Sequence, residues 1–206
     1  MEYLKFQEQL QEGIYHEIGH IIASWMCFPG EDRVKCLQMK KNPNGSYGIQ
    51  VLWKDEIRFN AKTQLDAFCI TSLAGGIFQQ MQRLFHLYRD ILDVEDSSPA
   101  SYNSEDVLRL LSIKEVKSYI PGMEEDMARL LVVFEKIQIK GITEDQFVES
   151  ARIKTIDTLL PFVCKPQIES LCMYCLDLFW NEGLKRKDKV DIDVDIITEY
   201  IGCLFK

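Results

Sequence analysis

Leu10-Gln11-Glu12-Gly13-Ile14-Tyr15-His16-Glu17-Ile18-Gly19-His20-Ile21-Ile22-Ala23-Ser24-Trp25-Met26-Cys27-Phe28 is the stretch on which the reading of this chain turns. Leu10, Ile14, Ile18, Ile21, Ile22, Trp25 and Met26 recur at three- and four-residue intervals, the period of one apolar helix face. Pro29-Gly30 ends the pattern. Inside this helix lies His16-Glu17-Ile18-Gly19-His20. Residues four apart share a helix face, so both imidazoles project the same way and can grip one ion. Glu17 is placed to reach a water on such an ion rather than to ligate it.

Two histidine ligands plus a neighbouring general base form the zincin arrangement. Two of the chain's three histidines fall on it. A catalytic zinc also needs a third protein ligand and an open position. Ile21-Ile22-Ala23-Ser24-Trp25-Met26 supplies none, and His86, set between Phe85 and Leu87, reads as a packed or partly exposed structural residue. The residues by themselves leave the third ligand open among Asp93, Asp96, Glu105 and Asp106.

The flanking elements are short-range signals. Val34 to Met39 and Tyr47 to Trp53 are strand-like runs joined through Asn42-Pro43-Asn44-Gly45, a hairpin signal. Helical periodicity resumes from Thr63 to about Phe85 and again from Ser104 to about Ser112, with Asp90 to Tyr102 a loop between them. Beyond Gly122 the pattern is helical: Met123 to about Ile139, then a capping box at Thr143-Glu144-Asp145-Gln146 before Phe147. Pro166 opens a helix running toward Asn181, and Val194, Ile197, Ile201 and Leu204 mark a last amphipathic segment. The expected fold is mainly α (α+β), helical with one small β-hairpin.

Composition bounds the rest. At 206 residues the chain suits a single domain, read as a metal-site half with the hairpin (1–117) and a helical C-terminal half (118–206). With 47% hydrophobic residues and only 11 Gly and 6 Pro, it is neither disordered nor collagen-like. Its 32 acidic against 24 basic residues, a net charge of −8, argue against nucleic acid as a partner. The one dense basic run, Lys185-Arg186-Lys187-Asp188-Lys189, reads as a solvated loop. No apolar run approaches the roughly 18 residues of a membrane helix, and the N-terminus carries no secretory pattern. Seven scattered cysteines then fit reduced thiols in a cytoplasmic protein. Cys172 and Cys175 form a single CxxC within a helical pattern; a zinc ribbon needs a second pair, so these read as buried core thiols. Nothing speaks to oligomeric state.

Tyr15-His16-Glu17-Ile18-Gly19-His20-Ile21-Ile22-Ala23 resembles the peptidase domain of FtsH-type zinc metalloproteases, the M41 family. The chain order is similar too. The family's zinc helix is followed by a strand and a "GY"-type strand, like Val34 to Met39 and Tyr47-Gly48-Ile49-Gln50-Val51. Its "LxGG" helix is matched by Leu73-Ala74-Gly75-Gly76, and its "ASND" segment by Asn103-Ser104-Glu105-Asp106. The resemblance covers about Gly13 to Leu111. It implies a zincin-like helical peptidase domain, Zn²⁺ held by His16, His20 and Asp106, and Glu17 as general base.

Asp106 also has a local explanation: with Asn103 capping the helix, an acid at the third helical position is favoured by free backbone N–H groups. Adjacent glycines in a helix cost about 1 kcal/mol each relative to alanine. Close approach of a neighbouring helix offsets that cost, and in the family this neighbour is the zinc helix.

Several residues depart from the pattern. Gln80 and Met81 stand where the family has acids, Ile77-Phe78 replaces an Arg-Ala pair, and Gly75 to Asp106 is longer than the family norm. No GxxxxGK[ST] phosphate loop occurs in the sequence. The expected activity is therefore ATP-independent hydrolysis of flexible peptides or unfolded protein, with a substrate strand aligned along the Tyr47 to Trp53 edge and a separate unfoldase for folded substrates. The alternative is a catalytically inactive binding or regulatory module that keeps the fold.

Overall fold

Helix α1 (Glu2–Cys27) is the axis of the protein in its computed structural model, which describes residues 2–31, 33–43, 47–54, 64–87, 102–112, 123–137, 141–183 and 189–205. Ile14, Ile18, Ile21 and Ile22 on its apolar face are fully buried. Each such side chain contributes roughly 1.5–3 kcal/mol of transfer free energy. The helix stops at the Pro29-Gly30 turn, where Gly30 adopts φ +81°.

Two elements pack directly on α1. Helix α2 (Leu65–Leu87) buries Leu73, Ile77, Phe78, Met81 and Leu84 in the common core. The two helices cross closely: a Cβ on Gly19 would stand 2.6 Å from the Ala74 carbonyl oxygen and 2.6 Å from Phe78 Cβ. At the other end of the seam, Glu12 accepts a two-pronged hydrogen bond from Arg83 and another from Gln79 Nε2 at 3.2 Å. Strand β2 (Tyr47–Trp53) lies along another side of α1, with Ile49 set against Gly13.

Strand β1 (Val34–Lys41) pairs antiparallel with β2 in the hairpin expected, with Leu37 opposite Val51. The sheet does not end there. Strand β3 (Lys189–Asp193) joins the other side of β1, with Leu37 opposite Ile192, giving the order β2-β1-β3. The expected lone hairpin is thus a three-stranded sheet, and the C-terminal half is not purely helical. Val190 and Ile192 face the core while Lys189, Asp191 and Asp193 are exposed. This period-two pattern belongs to a half-buried strand, and Lys189 is its first residue rather than the tail of a loop.

Helices α3 (Ser104–Leu111), α4 (Met123–Ile137), α5 (Glu144–Leu159), α6 (Pro166–Leu178) and α7 (Val194–Ile201) complete the mainly helical architecture. The Thr143–Gln146 capping box opens α5 with both reciprocal hydrogen bonds present. Pro166 occupies the first turn of α6. Cys172 and Cys175 on α6 are buried free thiols. Among the described residues no helix is long and apolar enough to cross a membrane. The Asp90 to Tyr102 loop, apart from Tyr102, and Lys185 to Asp188 of the basic run lie outside the described residues.

Candidate metal centre

His16 and His20 stand one turn apart on α1 and turn toward α2, where the Leu73-Ala74-Gly75-Gly76 step receives them. A Cβ on Gly75 would stand 2.5 Å from each of the two Nε2 atoms. Only the bare backbone of glycine leaves room for both rings, so close approach of α1 accounts for Gly75. Gly76 faces a different neighbour, with the Met123 side chain 3.0 Å from its Cβ position. Met123 begins α4, so the second glycine seats that helix beside the first site.

Asp126, one turn into α4, completes the cluster. Its Oδ2 lies 3.3 Å from His16 Nε2 and 3.4 Å from His20 Nε2, and the two Nε2 atoms are 3.3 Å apart. The three donors form a nearly equilateral triangle. Donors at tetrahedral angles and about 2.0–2.1 Å from one ion stand roughly 3.3–3.4 Å apart. His16, His20 and Asp126 therefore have the spacing of three ligands to one small divalent cation.

The proton arrangement agrees. The carbonyl of Thr71 accepts a hydrogen bond from His20 Nδ1 at 2.8 Å, which leaves Nε2 as the bare nitrogen. Asp126 Oδ2 is buried without a hydrogen-bond partner. An orphaned carboxylate oxygen facing imidazole nitrogens is costly, and a cation would relieve that cost.

The cluster's charges are strongly coupled. Burial raises the Asp126 carboxyl, but the two imidazoles beside it overcome that and bring its pKa down to about 2. Burial lowers the His20 imidazole, yet Asp126 and Glu17 outweigh it and hold its pKa above the ordinary value. Glu17 lies beside both histidines. Desolvation by burial pushes its carboxyl above the ordinary carboxylate range, against the pull of both imidazoles and of the Val51 amide. The Val51 backbone N–H donates to Glu17 Oε2 at 2.8 Å. β2 is an edge strand of the sheet, and its amide at Val51 is taken by Glu17.

Of the four residues expected in the site, the structure brings His16, His20 and Glu17 together and leaves Asp106 out. Asp106 is the correction. Its backbone N–H donates to Asn103 Oδ1 at 2.8 Å, Asn103 Nδ2 donates to its Oδ2 at 2.7 Å, and Arg109 pairs with its Oδ1 at 3.3 Å. Asp106 serves the N-terminus of its own helix, with its side chain 43% exposed. The inward carboxylate is Asp126, whose side chain is 6% exposed.

A signal for Asp126 was present in the sequence. It sits three residues after Met123 and four before Leu130, an acid interrupting the apolar stripe of an amphipathic helix. Of the residues that depart from the M41 pattern, Gln80 and Met81 are buried, and Gln80 Nε2 faces Met123 Sδ at 3.8 Å. His86 belongs to α2; its side chain lies outside the described residues. No protein-family model matches the chain, and no curated protein or solved structure matches it.

Proposed function

We propose that this chain is a zinc-dependent metallopeptidase of the FtsH-like, M41 type, with His16, His20 and Asp126 as the ligands and Glu17 as general base. The observation that carries the reading is the ligand-spaced triangle of donors with a carboxylate next to it that the triangle does not use. A purely structural site has no need of that fourth group.

Zinc held by two imidazoles and a carboxylate acidifies water toward a pKa of about 7 and polarises a peptide carbonyl. The protein's own groups do the rest. His20 is oriented by the Thr71 carbonyl, and Gly75 keeps both rings in place. Glu17, fixed at Oε2 by the Val51 amide, keeps Oε1 to accept a proton from water and deliver it to the leaving amine. Its raised pKa suits a group that must both take and return a proton. The substrates are flexible peptides or unfolded segments, and folded proteins need a separate unfoldase.

A second reading, a binding or regulatory module with a structural metal, is favoured by the near-complete burial of His16 and Asp126. Metal analysis of the purified protein, paired with casein and peptide cleavage by wild type and Glu17→Gln, separates the two. The peptidase reading expects one zinc per chain in both proteins and cleavage by wild type only. One zinc per chain without turnover on a broad peptide library leaves the module. A metal-free protein indifferent to His16→Ala removes both.

A further inference from the structure

Asp126 has two carboxylate oxygens, and they face different neighbours. Oδ2 points at the imidazoles, while Oδ1 looks toward Arg129, whose Nη1 lies 3.8 Å away. The other terminal nitrogen of Arg129 is 4.0 Å from Glu125 Oε2. Both distances are ion-pair separations beyond hydrogen-bond reach. The Arg129 side chain is 66% exposed, and its guanidinium makes no hydrogen bond among the described residues. A planar fork of donors therefore stands at the solvent side of a buried cluster that contains an orphaned carboxylate oxygen.

Such a fork has a strong chemical preference. Guanidinium binds a carboxylate through two parallel hydrogen bonds, a geometry that neither Glu125 nor Asp126 supplies here. The Glu125 pair is solvent-exposed and 4.0 Å long, a class of contact worth little, so an incoming carboxylate displaces it easily. The guanidinium is also close to the ligand triangle. An anion it holds therefore sits within a residue or so of a peptide bond presented to the cluster.

We propose that Arg129 is the carboxylate-recognition residue of this site, so that its preferred peptides carry a carboxylate next to the bond presented to the metal centre. That group is either a C-terminal α-carboxylate or the side chain of Asp or Glu. The inference rests on the peptidase reading for its orientation, but it is tested by binding, which needs no turnover.

The experiment uses zinc-loaded Glu17→Gln protein and isothermal titration of three acetylated alanine tripeptides: one with a free C-terminus, its C-terminal amide, and an amide with Glu in the last position. A charged peptide is expected to bind at least tenfold more tightly than the neutral amide, and the tighter of the two charged peptides identifies the source of the carboxylate. Arg129→Ala removes the difference, Arg129→Lys restores part of it, and Glu125→Gln strengthens it. Equal binding of all three peptides, a preference that survives Arg129→Ala, or no binding at all overturns the proposal. Cleavage by wild type is scored separately. Selective binding without cleavage defeats the peptidase reading and spares Arg129; cleavage without selectivity does the reverse.

Discussion

Helices α3 and α4 open alike and end up in opposite roles. Each has acids in its first turn, Glu105 and Asp106 in one, Glu124, Glu125 and Asp126 in the other. In α3 the Asp side chain closes on its own helix end through Asn103. In α4 it turns into the core and meets two imidazoles from α1. Residue type and helix position are nearly the same, so neither decides the outcome. What decides it is the surface beneath: α4 is seated on α2 where Gly76 admits Met123, while α3 packs mainly against α5. Local electrostatics explains Asp106 fully, and only tertiary packing explains Asp126.

The hardest test of that contrast is Asp126→Ala. On the proposed function it removes one of three ligands, and the two imidazoles that remain do not make a closed zinc site. Zinc affinity is expected to fall at least a hundredfold, measured by competition with a chromogenic chelator, with cleavage lost alongside. Unchanged affinity would remove α4 from the site.

Gly75→Ala sharpens the same point from the α2 side. The added methyl meets the far ends of two side chains rather than backbone, so the rings can swing aside and the chain still folds. Alanine is also the better helix former by about 1 kcal/mol. The expected result is a metal-free protein at least as stable as wild type toward urea, with zinc affinity reduced tenfold or more. A variant that keeps full affinity would mean that Gly75 does not shape the ligand triangle.

The parts of the molecule that were legible in the sequence are those written in nearest neighbours. The α1 stripe, the paired strands of the hairpin, the Thr143 capping box and Pro166 each depend on residues within a few positions, and each element lies where that chemistry puts it; Asn44-Gly45 themselves lie outside the described residues. His16 and His20 belong to the same class, since their convergence needs only the pitch of a helix. β3 was hidden because Lys189-Val190-Asp191-Ile192-Asp193 is too short to be a strand by itself. It becomes one against β1, where Gln38 Nε2 donates to Asp191 Oδ1 at 2.8 Å across 153 residues of chain. Asp126 was hidden for a related reason: three acids in one helical turn look like dipole complements, and although its spacing to Leu130 puts Asp126 on the buried face, nothing local tells that two imidazoles wait there.

The smallest effect belongs to the residue first assigned as the third ligand. Asp106→Ala removes the bond from Asn103 Nδ2 and the favourable charge at the N-terminus of α3, but keeps the Asn103 cap on the residue 106 backbone N–H. An exposed first-turn acid contributes about 0.3–1 kcal/mol, so the urea midpoint should fall slightly with an unchanged slope. Zinc stoichiometry and affinity should match wild type, because Asp106 is bound to its own helix end and to Arg109 rather than to the imidazoles. If Asp106→Ala released the metal while Asp126→Ala retained it, the roles of the two helices would be reversed, and the α4 carboxylate would have to be read as an ordinary buried partner of two histidines.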